Sequence, residues 1–110
     1  VNAGMLIENI VAQMLVAAGH NLYLYSNSDK EEAENRMEID FLIRKDEVTS
    51  RHNIIPIEAK SSSGYTTHSL NKCAQKFKEH ITLPTVLHPA DYKEDTDGKR
   101  YLPLYMTPLL

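Results

Sequence analysis

The sequence predicts an α/β fold in which a mixed central sheet has a helix on each side. A helical pattern of apolar residues begins the 110-residue chain, and three stretches with the two-residue alternation of strands follow it. A second helical pattern precedes the last strands, and a connection of this kind allows the next strand to run parallel to its neighbour. Because a chain of this length forms one core, residues 1–110 are expected to be a single domain.

The first helix is predicted over residues 3–19. Its apolar side chains fall on one arc at helical spacing: Leu6, Ile7, Ile10, Val11, Met14 and Leu15. Asn2 can cap the start, and Gly19 offers the left-handed conformation that commonly ends a helix. Glu8 lies at the border of the apolar arc, so its carboxylate can lean over the buried face.

Three short strands are predicted next, at residues 22–26, 37–44 and 54–60, with links short enough to favour antiparallel pairing. Alternation places four apolar residues of the second strand on one face: Met37, Ile39, Phe41 and Ile43. In the third strand Pro56 lacks an N–H group, which favours an edge position or a bulge at that point.

A second helix is predicted over residues 68–80, with Cys73 on its apolar face as a buried thiol. Further strands are predicted at residues 84–88 and 101–106, with a charged turn over residues 89–100 between them. The histidines show no spacing typical of zinc ligands and are interpreted as surface or turn residues: His20, His52, His68, His80 and His88.

Composition excludes several functional classes. With 12 basic and 15 acidic residues and a net charge of −3, the chain is not by itself a strong nucleic-acid binder. No apolar run approaches the roughly 20 residues that span a membrane, so no membrane partner is expected. The single cysteine excludes an internal disulfide and fits a cytoplasmic location. The phosphate-binding pattern Gly-x-x-x-x-Gly-Lys does not occur, so ATP hydrolysis is not expected in these residues.

Asp40 and Glu58 carry the main chemical signal, because they lie on adjacent predicted strands. Lys60 follows Glu58 by two residues and therefore shares its face. If Asp40 lies opposite Glu58, two carboxylates and an ammonium converge, and a divalent cation offsets the repulsion between the acids. Mg²⁺ or Mn²⁺ is expected, because such ions bind carboxylate oxygens, and the Ala59 carbonyl can add another oxygen ligand. A nearby lysine can orient or deprotonate an attacking water.

Each of these residues alone has a simpler explanation. A glutamate at a helix border is usually a solvated charge, and Glu-x-Lys on a strand is usually an ion pair worth about 0–1 kcal/mol. It is the combination, in this order on one helix and two strands, that favours a metal site.

The spacing of Glu8, Asp40 and the run Glu58-Ala59-Lys60 resembles that of the PD-(D/E)XK nuclease superfamily. More narrowly, the sequence looks like the domain of unknown function that follows the ATPase domain in bacterial and archaeal AAA-type P-loop proteins. The segments that carry this resemblance are residues 4–12, 38–42, 55–61, 69–70 and 102–105.

This resemblance implies a restriction-endonuclease-like three-layer sandwich. It implies that Glu8, Asp40 and Glu58 bind the metal, that these acids are catalytic, and that Lys60 is the catalytic lysine. The chain departs from the motif that names the superfamily, because Ile39 rather than proline precedes Asp40.

The expected function is therefore hydrolysis of DNA phosphodiester bonds by a Mg-activated water. The chain is expected to be a C-terminal piece of a longer AAA-type ATPase, with the N-terminal ATPase domain as a partner. Two alternatives stay open. One is a domain of the same fold that binds DNA without cutting it. The other is a regulatory protein-interaction module of that ATPase, including one that forms a homodimer through an exposed strand edge.

Overall fold

A computed structural model describes residues 3–27, 36–45, 53–62, 64–94 and 98–110. The predicted cap Asn2 and the predicted surface residue His52 lie outside these ranges. In chain order the elements are α1 (Ala3–Ala17), β1 (Tyr23–Asn27), β2 (Met37–Arg44), β3 (Ile54–Ala59), α2 (His68–Lys76), β4 (Thr85–His88), β5 (Lys93–Glu94), β6 (Arg100–Pro103) and a 3-10 helix (Leu104–Leu109).

The strands form one mixed six-stranded sheet in the order β1-β2-β3-β4-β6-β5. β2 pairs antiparallel with both β1 and β3, as the short links predict. α2 then crosses over, and β4 lies parallel to β3. β6 is parallel to β4, and β5 pairs antiparallel with β6 at the edge of the sheet. The predicted α/β class with a mixed sheet is therefore confirmed.

Each helix buries part of its apolar side against a different set of sheet residues, and in α1 two members of the predicted apolar arc, Leu6 and Ile10, are exposed instead. α1 contributes Val11 and Leu15 to one cluster, whose strand members are Phe41, Ile43, Ile55, Ile57, Ala59, Leu87 and Leu102. α2 contributes Leu70 and Cys73 to the other cluster, whose strand members are Met37, Ile39, Val86 and Tyr101. Because neighbours along β4 and β6 fall into different clusters, the two helices cover opposite faces of the sheet. The thiol of Cys73 is buried as predicted, and burial raises its pKa to about 11.

A β-bulge interrupts the alternation of β2. Between the paired positions Ile39 and Leu42, β2 has two residues, Asp40 and Phe41, whereas β1 has only Leu24. An extra residue of this kind turns the side chains that follow it to the other face of the sheet.

The bulge corrects one prediction about this strand. Met37 and Ile39, before the bulge, pack in the cluster with α2, whereas Phe41 and Ile43, after it, pack in the cluster with α1. All are buried, as the pattern predicts, but they do not share one face. The pairing with β1 shifts the register, and the sequence of β2 alone carries no sign of it.

Pro56 corrects a second prediction, because it lies inside β3, an interior strand rather than an edge strand. The amide groups of Ile54 and Lys60 both donate toward the β4 side of the strand. Alternation turns the nitrogen of Pro56 to that side too, but the pairing of β3 with β4 begins after it, at Ile57. Proline is tolerated here because its missing N–H falls before the start of the parallel ladder.

The last part of the chain differs most from the prediction. The strand predicted over residues 101–106 ends at Pro103, and the 3-10 helix Leu104–Leu109 follows. The predicted charged turn over residues 89–100 contains the two-residue strand β5, which is too short to produce an alternating pattern.

Both helices end close to the predicted points. α1 ends at Ala17, and Gly19 has a φ of +96°, which is the left-handed conformation expected of it. α2 ends at Lys76, one turn before the predicted residue 80. Neither helix, nor any other within the described ranges, has the length and apolar content to cross a bilayer.

Candidate functional site

Asp40 lies where β2 and β3 stop pairing. The antiparallel register between them ends with Phe41 opposite Ile57. Next to this pair the N–H of Ala59 donates to Oδ2 of Asp40 at 2.8 Å. In a regular antiparallel ladder a main-chain carbonyl of β2 would accept this hydrogen bond, and here the Asp40 side chain takes its place. Asp40 is therefore beside the Glu58–Lys60 segment, although it is not the ladder partner of Glu58.

Glu58 and Lys60 form an ion pair, as their shared face predicts. Oε2 of Glu58 lies 3.1 Å from Nζ of Lys60, and the Glu58 side chain is 5% exposed against 25% for Lys60. The Lys60 ammonium compensates the charge of this buried carboxylate, and Oε2 has no further hydrogen-bond donor among the described residues. A buried carboxylate oxygen with unused acceptor capacity is costly unless a ligand uses it.

Glu8 reaches the same region from α1. Its side chain is exposed, and it interacts with the carboxyl group of Asp40 through a hydrogen bond and through charge repulsion. Burial and then the negative charge of Asp40 raise the pKa of Glu8. The structure thus brings the helix acid toward the strand acid, as its position at the border of the apolar arc predicts.

The pKa values of all three carboxyl groups lie above their ordinary values. Burial is the largest cause for Glu8, Asp40 and Glu58 alike. The Ala59 N–H and the charge of Lys60 oppose the rise of the pKa at Asp40. The attraction of Lys60 opposes it at Glu58, whereas the charge of Asp40 adds to it. A cation placed among these groups would lower all three pKa values, which is typical of acids that bind metal.

The three acids do not form a ready set of ligands. Among residues 3–27, 36–45, 53–62, 64–94 and 98–110, no group of three or more His, Cys, Asp or Glu side chains has the arrangement that holds a metal ion. The ligand chemistry nevertheless fits Mg²⁺ or Mn²⁺, since Oε2 of Glu58 has no donor besides Lys60 among the described residues and Asp40 uses one oxygen toward Ala59. The Ala59 carbonyl points to the same side of β3 as its N–H, and hence toward Asp40. The metal site stays a prediction.

Two residues near Lys60 are not indicated by the sequence pattern, Tyr65 and His88. Nζ of Lys60 lies 5.9 Å from the centroid of the Tyr65 ring, and the Tyr65 hydroxyl is bonded to Nδ1 of His88 at 3.0 Å. His88 is 2% exposed, so its interpretation as a surface or turn residue is wrong. The position of His88 near Lys60 follows from the parallel pairing of β3 with β4, in which Val86 lies opposite Glu58. Two residues further along each strand, His88 and Lys60 share one face.

The fold and the site together define an α/β domain with a linked group of acids and one lysine at a gap between two strands. The chain matches the family described as Domain of unknown function (DUF4143) over residues 3–107, and it belongs to that family. No curated protein and no solved structure matches the chain. The family match conflicts with no part of the resemblance to nucleases, but it names no activity.

Proposed function

We propose that this domain is a metal-dependent nuclease of the PD-(D/E)XK type, with the corresponding three-layer sandwich, that hydrolyses phosphodiester bonds in DNA. In this proposal it is the C-terminal module of an AAA-type ATPase. The observation that carries the proposal is the approach of Asp40 to the Glu58–Lys60 segment, where the buried Oε2 of Glu58 has no donor besides Lys60 among the described residues.

Each residue has a role that its surroundings support. Asp40 and Glu58 supply the cation ligands, with Glu8 and the Ala59 carbonyl as further ligands. When bound, Mg²⁺ or Mn²⁺ lowers the pKa of water and offsets the negative charge that develops on the phosphate. Lys60 faces Glu58 at 3.1 Å, and its ammonium can orient a water molecule or contact a phosphate oxygen.

A second candidate is a domain of the same family that binds DNA or a protein partner without cutting. The net charge of −3 favours it, because DNA binding depends on neutralising phosphates with Lys and Arg. The lack of a three-ligand group within the described ranges favours it as well. In that case the domain regulates the attached ATPase or forms a homodimer.

Calorimetric titration with Mg²⁺ and Mn²⁺ tests the metal site directly. The wild-type domain is expected to bind one of these ions, and Glu58→Gln is expected to abolish binding because it removes a buried ligand charge. Glu79→Gln is the matched control, since Glu79 is exposed in the turn after α2 and its loss should leave binding unchanged. Absence of binding to the wild-type domain would contradict the proposal.

Cleavage assays on branched, single-stranded and duplex DNA separate the two candidates. With the cation present, Lys60→Ala is expected to lower the rate by about 10²- to 10⁴-fold, the usual range for a positioned proton-transfer group. Equal cleavage by wild type and variant would exclude a catalytic role for Lys60. Metal binding without cleavage of any substrate would support the second candidate.

A further inference from the structure

After Lys60, the loop between β3 and α2 has one large side chain. Its described residues are small or hydroxylated apart from Tyr65: Ser61, Ser62, Gly64, Thr66 and Thr67. Such a loop has little apolar surface with which to hold its position beside Lys60. The contacts of Tyr65 therefore decide how this loop lies against the candidate site.

The hydrogen bonds of His88 fix the direction in which the Tyr65 hydroxyl donates. Nε2 of His88 lies 3.0 Å from the carbonyl oxygen of Asp91, which only accepts, so Nε2 carries the proton. In the neutral ring Nδ1 then accepts, and the Tyr65 hydroxyl donates to it at 3.0 Å. Both ring nitrogens of this buried histidine are satisfied, so the Tyr65 oxygen is tied to β4 through one defined tautomer.

The Tyr65 ring is also held by aromatic contacts. The ring of His88 meets it edge to face, with centroids 6.0 Å apart and an interplanar angle of 74°. Tyr101 of β6 lies 6.5 Å away at 30°. Tyr101 and His88 are themselves buried, so the ring rests on residues of the sheet rather than on the loop. Its orientation is therefore set by the core.

Lys60 has a second neighbour besides its carboxylate. Its Nζ lies 3.1 Å from Oε2 of Glu58 and 5.9 Å from the centroid of the Tyr65 ring, within the range of a cation–π contact. A lysine side chain has four flexible carbons, and the contact with Glu58 alone does not fix the direction from which its ammonium approaches. The aromatic face limits that motion.

We propose that Tyr65, fixed by His88, is a positioning residue that holds the Lys60 ammonium beside Glu58. The catalytic consequence of this positioning rests on the proposed nuclease function, whereas the positioning itself is a property of the domain without substrate. The contacts of Tyr65 with His88 and Lys60 thereby keep the Lys60 ammonium in a single position, next to the gap where Asp40 meets β3.

Nuclear magnetic resonance of the lysine ε-methylene protons tests the positioning without any assay of cleavage. Protons near an aromatic face are shifted by its ring current, so the Lys60 signals, assigned by their loss in Lys60→Arg, should lie upfield of those of exposed lysines. Tyr65→Leu should return them to the position of exposed lysines. Tyr105→Leu is the matched control, because Tyr105 is 77% exposed, and it should leave them unchanged.

Tyr65→Phe keeps the ring and removes the hydroxyl that bonds His88. The Lys60 signals should move part of the way toward those of exposed lysines, and full retention of the wild-type shift would overturn the role of His88. Unchanged Lys60 signals in a folded Tyr65→Leu domain would overturn the role of Tyr65. Circular dichroism identifies whether each variant is folded.

Kinetics connect the positioning to the reaction. In a domain that cleaves DNA, Tyr65→Leu should lower kcat by about 10- to 100-fold with KM and metal affinity unchanged, and Tyr65→Phe should recover part of the loss. A rise in KM with kcat unchanged would overturn positioning and indicate substrate contact instead. If the wild-type domain cleaves nothing, the proposed function fails, and the Lys60 signals still decide the positioning.

Discussion

Asp40 and Ala59 are joined by a hydrogen bond from main chain to side chain, 2.8 Å long, across the gap that opens between β2 and β3. The bulge formed by Asp40 and Phe41 against Leu24 of β1 lies at the same place. Ile39, before the bulge, packs on the α2 side, so alternation places Asp40 on the opposite side of the sheet, toward α1 and Glu8. The regular pairing of β2 is therefore interrupted on both of its edges at Asp40.

This bond gives Asp40 a structural role that can be separated from its charge. Asp40→Asn keeps an oxygen that can accept the Ala59 N–H, so the free energy of unfolding should stay near that of the wild type. Asp40→Ala leaves the buried Ala59 N–H unpaired and should cost about 1–3 kcal/mol. Both variants should lose cation affinity equally.

Urea unfolding and calorimetric titration of the two Asp40 variants measure these effects. Equal stability of Asp40→Asn and Asp40→Ala would show that the bond to Ala59 contributes nothing to the fold. Retained cation affinity in Asp40→Asn would exclude the carboxylate as a ligand.

The bulge also shows where prediction from the sequence ends. The alternating apolar positions of β2 correctly predict its buried residues, because the two-residue period and the apolar side chains can both be recognised in the sequence. The face on which each side chain lies depends on the register with β1, and that register is a contact between distant parts of the chain. The same reason explains Pro56, whose place in an interior strand depends on where β4 begins.

The site was predictable to the extent that its residues lie on strands with regular spacing. Glu58 and Lys60 share a face because they are two residues apart, and this needs no tertiary information. Tyr65 lies in a loop without periodicity, and His88 joins it only through the parallel pairing of β3 with β4. Tyr65 and His88 therefore lie near Lys60 because of the strand order of the sheet, which the local sequence pattern does not indicate.

The packing of α2 predicts a strong dependence of stability on Leu70. This side chain is fully buried in the cluster that α2 forms with the sheet, so Leu70→Ala should lower the free energy of unfolding by about 2–5 kcal/mol. Leu109→Ala, at a residue that is 76% exposed in the 3-10 helix, should change it by less than about 0.5 kcal/mol. Thermal or urea unfolding compares the two, and similar losses would contradict the division between core and surface.

Gly19 is expected to be required for the end of α1. Its φ of +96° disfavours any side chain, and no atom lies within 4 Å of where a Cβ would be placed. Gly19→Ala should therefore destabilise the fold by about 1–2 kcal/mol through backbone strain alone. Gly64→Ala also meets open space but lacks a positive φ, so it should be neutral or slightly stabilising. A loss at Gly64 equal to that at Gly19 would contradict this explanation.

Because Lys60 and Glu58 form an ion pair, removal of the Lys60 charge is expected to lower the free energy of unfolding by an amount that depends on pH. Burial raises the pKa of Glu58 above its ordinary 4.5, and Lys60 opposes that rise. Lys60→Met removes the opposing charge, so the pKa of Glu58 rises further. Near pH 7 the unfolded chain carries an ionised Glu58 at no cost, whereas the folded variant must bury that charge unpaired. We expect a loss of about 1–3 kcal/mol at pH 7.

The sign of the pH dependence follows from the order of the two pKa values. Between 4.5 and the raised pKa, the folded state binds more protons than the unfolded chain, so stability increases as the pH falls through this window. The deficit of Lys60→Met relative to the wild type should therefore shrink between pH 7 and pH 5. In the double variant with Glu58→Gln the buried charge is absent, so most of the stability should return and the deficit should lose its pH dependence. Urea unfolding at pH 7 and pH 5 measures these differences as a double-mutant cycle. The cycle compares the wild type with Lys60→Met, Glu58→Gln and the double variant. A deficit of equal size at both pH values would mean that Lys60 stabilises the fold by packing, because only a charge on Glu58 can be removed by protonation.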